Sequence, residues 1–338
     1  MSDVDELRAH APGRVNLIGE HTDYTGGLAF PMAIDRGTTL TGHRIDGAIR
    51  ATSSDEDGEV GFALPFSGDP ASVEPRWGSF LAGIARELGV TRGFDGHLTS
   101  TIPAGAGLSS SAALMCVVAL ALGFDGDPLE LARAARRAEH AATGVPTGVM
   151  DQLCIASARA GHATLIDCRS ETVEHVPVPS DIDIVVRFVT HRTLHGSAYA
   201  DRVAECTAAE AIIGPLRDAT LDDVERIDDQ VIHRRARHVV SENQRVRSFA
   251  EALERADYPE IGRLLDEGHA SLRDDFATST DVMDAEVARL QAADGVFGAR
   301  MTGGGFGGCL VAITRPGALT DGWRVKPAAG ARSLAADE

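Results

Sequence analysis

The segment at residues 102–122, IPAGAGLSSSAALMCVVALAL, combines glycines, serines and an apolar run in an order that suits anion binding. Gly105 and Gly107 permit tight turns, and the apolar residues predict a helix that begins near Ser110. Free backbone N–H groups and the helix dipole at such a start favour a bound phosphate group. Three hydroxyl groups can add hydrogen bonds or a metal ligand, those of Ser109, Ser110 and Ser111. The alternative is a glycine-rich turn that serine merely caps.

A second polar segment lies earlier in the chain, APGRVNLIGEHTDYTGG at residues 11–27. Its polar side chains are Arg14, Glu20, His21, Asp23 and Tyr24. The pattern predicts a strand followed by a tight loop. Carboxylates and imidazole suit the recognition of sugar hydroxyls, and an arginine can stabilise a transferring phosphoryl group. The alternative is a solvated polar loop with a surface ion pair.

A third segment, GVPTGVMDQLCIASARAG at residues 144–161, has Asp151 just after a Pro/Gly turn, at the predicted start of a helix. A carboxylate there either interacts with the helix dipole or acts as a base or orienting group for a hydroxyl nucleophile.

A fourth segment, MTGGGFGGC at residues 301–309, contains the spacing G-x-G-x-x-G. It precedes a predicted strand rather than a helix, and no β-α-β unit surrounds it, so we reject it as a dinucleotide fingerprint. Its glycines permit close approach of backbone or ligand.

The charge balance excludes several classes of function. Formal net charge is −18, from 50 acidic and 32 basic side chains, so the surface repels nucleic acid and anionic lipid. The only lysine is Lys326, and no known lysine motif surrounds it. A Walker A loop, a protein kinase and a pyridoxal enzyme each need a lysine in a defined context. Any cation that stabilises phosphate is therefore an arginine, a metal ion or a backbone dipole.

Targeting and redox features predict a cytoplasmic protein. The first ten residues are acidic and lack the apolar core of a signal peptide. The longest apolar run is far shorter than the ~20 residues that span a bilayer. The 5 cysteines include no C-x-x-C pair, which favours reduced thiols over disulfides or structural zinc. We expect no nucleic-acid or membrane partner, and a monomer, with a dimer as the alternative.

Periodicity divides the chain into a β-rich beginning and a helix-rich remainder. Strands are predicted at residues 14–18, 38–43, 60–64, 93–99, 162–167 and 184–189. Helices are predicted at residues 78–88, from 110, and from Asp127 to Gly144, with long helices beyond residue 195 and a late strand, CLVAIT. The prediction is an α+β chain of two domains, residues 1–175 and 176–338.

Taken together, the four segments resemble the GHMP small-molecule kinases and, within them, the galactokinase family. GRVNLIGEHTDYTGG is similar to the sugar motif of that family, PAGAGLSSSAA to its phosphate loop and TGGGFGG to its third motif. Further similar stretches are PTGVMDQ, LIDCRS, RARHVVSEN, HASLRDDF and GARMTGGGFGGC. The resemblance implies a two-domain GHMP kinase fold, with an N-terminal α/β domain, a helix-rich C-terminal α+β domain and the active site between them.

The resemblance also implies the reaction and a role for each site residue. ATP and Mg²⁺ would serve the reaction, and Asp151 would orient or deprotonate the anomeric hydroxyl of a sugar while Arg14 holds Asp151 and stabilises the phosphoryl charge. Sugar binding is implied for Glu20, His21, Asp23, Gly148 and Tyr199. Nucleotide binding is implied for Gly105, Gly107, Ser109, Ser110, Ser111 and Trp77, and Mg²⁺ binding for Ser111 and Glu139. An ordinary buried Trp77 and an ordinary solvated Glu139 are the alternatives.

The sequence leaves the identity of the sugar open. The segment around Tyr199, THRTLHGSAYADRVAEC, departs from the family pattern, and Thr147 stands where Cys is common. The leading hypothesis is an ATP-dependent galactose 1-kinase. The alternatives are a kinase for N-acetylgalactosamine, galacturonate or arabinose, and a non-catalytic sensor that binds galactose and ATP. The presence of Arg14, Asp151, Ser111 and Glu139 favours catalysis, because a sensor could lose any of them.

Overall fold

The computed structural model describes residues 6–103, 105–145, 147–191 and 197–335. The strands in these ranges are β1 (Glu6–Ile18), β2 (Leu28–Asp46), β3 (Ala48–Ser53), β4 (Val60–Ala63), β5 (Arg92–Ser100), β6 (His162–Asp167), β7 (Thr172–Pro177), β8 (Asp183–Thr190), β9 (Val296–Thr302), β10 (Gly308–Thr314), β11 (Trp323–Val325) and β12 (Arg332–Ser333). The α-helices are α1 (Gly78–Leu88), α2 (Ser110–Ala121), α3 (Pro128–Thr143), α4 (Met150–Ser157), α5 (Ser197–Ile213), α6 (Leu221–Val224), α7 (Gln230–Glu254), α8 (Tyr258–Asp274) and α9 (Asp281–Gln291).

Two sheets form the framework of the described chain. The larger runs β12-β1-β2-β5-β3-β4, and β6 and β7 extend it from the beginning of β2. The smaller runs β11-β8-β10-β9 and is antiparallel throughout. The predicted domain boundary at residue 175 lies within β7, before the first strand of the smaller sheet, and it stays a prediction. β12 returns from the end of the chain to pair with β1.

The helices begin and end where their capping residues require. Asp127 accepts a hydrogen bond from the backbone N–H of Glu130 at the start of α3, and Gly144 ends that helix with a φ of 72°. Asp229 accepts from the backbone N–H groups of two residues in the first turn of α7. These capped starts confirm the helix predicted from Asp127 and a long helix after residue 195.

β1 and β2 are much longer than the sequence predicts. The short runs at residues 14–18 and 38–43 are parts of strands of 13 and 19 residues. Pro12 and Pro31 interrupt the apolar alternation, and a register shift between Pro12 and Arg14 accommodates the first of them. Because a proline or an irregular pairing normally marks the end of a strand, the sequence underestimates both elements.

A buried core joins the first part of the chain to α7 and α8. Val246, Phe249 and Leu253 of α7 and Leu264 of α8 pack into the same apolar cluster as the larger sheet. A second cluster fills the space between the smaller sheet and helices α5 to α9, and α7 contributes Ala236, Val239 and Val240 to it. α7 therefore touches both cores and connects the two sheets. No helix among the described residues combines the length and the apolarity that a bilayer span needs.

Candidate active site

Arg14 and Asp151 form the central contact of the site. Arg14 lies on β1 and is buried, and its Nε and Nη2 donate to Asp151 Oδ1 and Oδ2 at 2.7 and 2.8 Å. Its Nη1 donates to the carbonyl oxygen of Gly107 at 2.7 Å. The hydroxyl of Ser109 donates to Asp151 Oδ2 as well. Asp151 sits in the first turn of α4, as the sequence predicts, and remains partly accessible.

Asp23 and Gly148 lie against each other beside this contact. A β-carbon built on Gly148 would stand 1.8 Å from Asp23 Oδ2, so only glycine leaves room for the carboxylate. Burial, together with the negative charge of Asp151, raises the pKa of Asp23 to about 6. A hydroxyl that donates a hydrogen bond to Asp23 therefore stabilises its ionised form.

Glu20 lies deeper, behind the opening of the site. Its Oε2 accepts from Arg300 Nη2 at 2.5 Å, and its Oε1 accepts from the backbone N–H of Gly303 at 3.3 Å. Burial raises the pKa of Glu20 to about 7, although the positive charge of Arg300 acts in the opposite direction. Arg300 is a buried cation to which the sequence assigned no role. The only sequence signal of such a role is its charge within the strand segment GARMT.

Aromatic rings form one wall of the site. His21 has a left-handed backbone, φ 62°, and its Nδ1 lies 3.1 Å from the hydroxyl of Tyr24. The ring of Tyr199, on α5, lies 5.6 Å from that of His21 and 5.7 Å from that of Tyr24. The segment that departs from the family pattern therefore still brings Tyr199 to the other predicted sugar residues.

These side chains surround a cavity of about 320 Å³. Its lining includes all the predicted catalytic and sugar-binding residues, namely Arg14, Glu20, His21, Asp23, Gly148, Asp151 and Tyr199. Glu139 and the glycine-rich turn at residues 303–306 complete it. The polar lining offers both donors and acceptors of hydrogen bonds, which suits a small polyhydroxylated ligand.

The glycine- and serine-rich turn opens α2 beside this cavity. Gly105, Gly107 and Ser109 all have positive φ, 69°, 74° and 60°, and α2 begins at Ser110. Ser110 is exposed. The first N–H groups of α2 are thus presented next to the Arg14–Asp151 pair, as expected of a phosphate-binding turn.

A smaller cavity of about 120 Å³ lies on the other side of the start of α2. Trp77, Phe80, Leu98 and Leu114 line it together with Ser110 and Ser111. Trp77 is buried, and its Nε1 donates to the carbonyl oxygen of Asp57 at 3.1 Å. These apolar side chains beside the predicted phosphate-binding turn suit a flat ring such as a nucleobase, and Asp55 and Glu56 line the same cavity.

Ser111 and Glu139 connect the two cavities. Ser111 lines the smaller one, and its hydroxyl donates to Oε1 of Glu139, which lines the larger one, at 2.9 Å. Thr147 and Gln152 both donate to Glu139 Oε2, at 3.2 and 2.6 Å. The sequence assigned no contact to Thr147 or Gln152. Burial raises the pKa of Glu139, while the hydrogen bond from Ser111 lowers it.

The Ser111–Glu139 pair fits Mg²⁺ that is shared with a nucleotide. A hydroxyl and a carboxylate are the hard oxygen ligands that Mg²⁺ prefers, and Mg²⁺ commonly takes only one or two protein ligands plus phosphate oxygens. Within the described ranges, no group of three or more His, Cys, Asp and Glu residues could hold a metal ion. The donor set therefore suits a metal that arrives with its phosphates.

Three family descriptions match this chain. The galactokinase galactose-binding signature matches residues 2–44, the GHMP kinases N terminal domain matches residues 78–159, and the GHMP kinases C terminal domain matches residues 249–323. The first covers Arg14 to Asp23 and the second covers the phosphate-binding turn, Glu139 and Asp151.

Several curated proteins are similar over most of their length. Bos taurus galactokinase is 40% identical over 328 residues, which cover 91% of this chain and 83% of that protein. Homo sapiens galactokinase is 39% identical over 341 residues, covering 94% and 86%. Mycobacterium tuberculosis galactokinase is 42% identical over 325 residues, covering 90% and 87%.

Solved structures of the same family are similar to this chain. The crystal structure of Lactococcus lactis galactokinase complexed with galactose has a TM-score of 0.91 and 29% identity, covering 97% of this chain and 95% of that chain. A mevalonate kinase, at 19% identity and a TM-score of 0.67, shares the fold. The predicted α+β fold of the GHMP kinases is thereby confirmed, and the chain belongs to the galactokinase family.

Proposed function

We propose that this chain is an ATP-dependent galactose 1-kinase, which transfers the γ-phosphoryl group of ATP to the anomeric hydroxyl of galactose. The observation that carries the proposal is the bidentate contact of Arg14 with Asp151 on the wall of the larger cavity. Galactokinases about 40% identical to this chain, and one structure in complex with galactose, support the choice of sugar.

Galactose binds in the larger cavity. The carboxylates of Glu20 and Asp23 accept hydrogen bonds from sugar hydroxyls, and His21 and the backbone of Gly148 provide further polar contacts. Tyr199 lies against a face of the sugar. Carboxylates that accept from neighbouring hydroxyls discriminate strongly between sugars, because a wrong epimer leaves a buried acceptor without its donor.

Asp151 acts on the nucleophile. Arg14 and Ser109 fix both of its carboxylate oxygens, so its accessible edge faces the anomeric hydroxyl in one orientation. Asp151 either removes the hydroxyl proton or aligns the hydroxyl as its proton leaves late in the transfer. The guanidinium of Arg14 stabilises the charge that develops on the phosphoryl oxygens.

ATP binds across the start of α2. The backbone at residues 105–111, including Gly105 and Gly107, holds the phosphates, with hydrogen bonds from the backbone N–H of Ser109 and from the hydroxyl of Ser110. The base lies in the smaller cavity against Trp77. Ser111 and Glu139 would hold Mg²⁺, which would neutralise phosphate charge.

We further propose that the protein works as a cytoplasmic monomer without a nucleic-acid or membrane partner. All 5 cysteines are free and buried, which suits a reducing compartment. The net charge of −18 supports the absence of nucleic-acid and anionic-lipid partners. Size-exclusion chromatography coupled to light scattering measures the molar mass and so tests the proposal of a monomer.

The test of the function is ADP release from Mg-ATP with galactose, N-acetylgalactosamine, galacturonate, arabinose, glucose and mannose. We expect turnover with galactose to exceed that with every other sugar by at least about tenfold in kcat/KM. Turnover that is faster with another sugar would overturn the choice of galactose. Binding of galactose without any ADP release would overturn catalysis.

A further inference from the structure

The loop that carries the sugar residues is held by side chains of α7. This loop, residues 19–28, joins β1 to β2 and is called the sugar loop below. The backbone N–H of Gly19 donates to Glu242 Oε1 at 2.9 Å, and the backbone N–H of Leu28 donates to Asn243 Oδ1 at 2.7 Å. Helix α7 thus fixes the loop at both of its ends.

His238 fixes the loop between those ends. Its Nε2 lies 3.2 Å from the carbonyl oxygen of Glu20, and its Nδ1 lies 2.9 Å from the hydroxyl of Ser271. A carbonyl oxygen only accepts, so the neutral ring carries its proton on Nε2. Burial lowers the pKa of His238 to about 4, which keeps the ring neutral at physiological pH.

Glu242 also reaches the side chain of Glu20, through Arg300. Arg300 Nη2 donates to Glu242 Oε1 at 2.8 Å and to Glu20 Oε2 at 2.5 Å. The three side chains have at most 1% of their surface exposed. Arg245 Nε donates to Glu242 Oε2 at 2.7 Å. The same carboxylate therefore holds the backbone before Glu20 and the cation that aligns the Glu20 side chain.

The charges of this cluster depend on one another. A buried charge is costly unless an opposite charge is close. Burial raises the pKa of Glu242, but the positive charges of Arg300 and Arg245 outweigh that effect and lower it overall. If Glu242 lost its charge, Arg300 would be drawn entirely to Glu20, and both would move from their present positions.

We propose that Glu242 and His238 are positioning residues for sugar recognition, because they fix the Glu20 carboxylate and the sugar loop without touching sugar or nucleotide. Among the described residues that line the two cavities, none belongs to α7. The proposal rests on the assignment of the larger cavity to the sugar. It gives a role to RARHVVSEN, a stretch for which the sequence supplies resemblance but no chemistry.

A role confined to fold stability predicts a different outcome. General loosening would weaken sugar and nucleotide binding together and lower the melting temperature. Loss of the contacts that position the sugar loop weakens sugar binding alone. The reason is that no hydrogen bond among the described residues joins α7 to the turn at residues 105–111 or to Trp77. The ratio of the two KM values separates these accounts.

The main test compares Glu242→Gln with Glu251→Gln in the full chain. Gln at 242 keeps an acceptor for Gly19 but loses the charge that opposes Arg300. Glu251 lies on the same helix and its side chain is 67% exposed. We expect Glu242→Gln to raise the KM for galactose by about tenfold or more, with the KM for ATP within about twofold, and Glu251→Gln to change neither. An equal rise of both KM values in Glu242→Gln would overturn the proposal.

A second pair of variants decides the matter if Glu242→Gln does not fold. His238→Gln keeps an N–H donor near the position of Nε2, whereas His238→Asn is too short to reach Glu20. We expect His238→Asn to raise the KM for galactose several-fold and His238→Gln to restore most of it. Identical values in both variants would overturn the role of the His238–Glu20 contact.

Hydrogen exchange keeps this test separate from the proposed function. In His238→Asn, backbone exchange at residues 19–28 should become faster while exchange at residues 105–111 stays as in the unmodified chain. This readout needs no turnover, so it holds even if galactose is not the substrate. Unchanged exchange at residues 19–28 would overturn the positioning role, whereas failure of the sugar panel alone would overturn only the proposed function.

Discussion

Arg14 donates two parallel hydrogen bonds to Asp151, at 2.7 and 2.8 Å, although 137 positions separate the two residues in the chain. The planar guanidinium matches both carboxylate oxygens, which a lysine could not do from a single ammonium group. The contact joins β1 to the first turn of α4. It therefore sets the orientation of the carboxylate that we propose to act on the sugar hydroxyl.

Asp151→Asn tests the role of this carboxylate. The variant keeps the size of the side chain but loses its charge and one of its two acceptors for Arg14. We expect kcat to fall by about 10²–10⁴, with the dissociation constant for galactose changed by less than about threefold. The rate of ADP release at saturating substrates gives kcat, and calorimetric titration gives the dissociation constant for galactose. Asp222→Asn, at an exposed position, is the control, and a kcat within threefold of the unmodified enzyme would contradict the assignment.

The pH dependence of galactose binding tests Asp23. The pKa of this carboxyl is raised from 3.8 to about 6 by burial, with a further contribution from Asp151. Hydroxyls that donate to the ionised form lower the pKa in the complex. The Asp23 contribution to galactose affinity should therefore fall as the pH drops below about 6, approaching tenfold per pH unit, and should be constant above it. Glu20, whose pKa is raised to about 7, adds a loss that begins at higher pH.

The same shift has an opposite consequence for the free protein. Because the pKa of Asp23 is higher in the folded state than in the unfolded chain, ionised Asp23 destabilises the fold above pH 6. That contribution disappears as the pH falls towards the unfolded value. Asp23→Asn should remove both effects. Calorimetric titrations between pH 5 and 8 measure the affinity, and an equal slope for Asp23→Asn and the unmodified chain between pH 5 and 6 would count against the assignment.

Gly148→Ala tests the close packing of the sugar site. A β-carbon at this position would stand 1.8 Å from Asp23 Oδ2 and 2.3 Å from its Cγ, so Asp23 must move. We expect the KM for galactose to rise by at least about tenfold, while the KM for ATP changes little. Gly61→Ala is the matched control, since its β-carbon would meet nothing nearer than the Ile49 carbonyl oxygen at 4.0 Å. An unchanged KM for galactose in Gly148→Ala would exclude the predicted geometry.

Ser111→Ala tests the proposed metal site. Loss of the hydroxyl removes one proposed Mg²⁺ ligand and the hydrogen bond to Glu139. We expect Mg²⁺ to strengthen ADP binding less in this variant, by about tenfold relative to the unmodified chain. Calorimetry of ADP with and without Mg²⁺ gives this ratio without turnover. Ser170→Ala, in an exposed turn, should leave the ratio unchanged, and the same ratio in Ser111→Ala would rule out the ligand.

Local signals in the sequence predict many of the elements and the composition of the site. α1 was predicted at its observed bounds, and so was β6, because their periodicity is uninterrupted. Asp127 and Gly144 mark the ends of α3 correctly. The predicted sugar and catalytic residues line one cavity because they come from a few short segments.

Long-range contacts could not be predicted in this way. Arg300 reaches Glu20 across 280 positions and Glu242 across 58. Arg300 and Glu242 look, in the sequence, like ordinary charged side chains on a strand and a helix. Only the packing of α7 and β9 against the sugar loop brings them together and buries them. The cluster depends on tertiary structure, which no local pattern encodes.

The most direct test of the central claim is the position of the new phosphate. Galactose labelled with ¹³C at its anomeric carbon is incubated with Mg-ATP and the enzyme, and the product is examined by ³¹P NMR. The account predicts a new phosphomonoester resonance that is split by coupling to the labelled carbon. A phosphomonoester without that splitting, or ADP formation without any sugar phosphate, would contradict it.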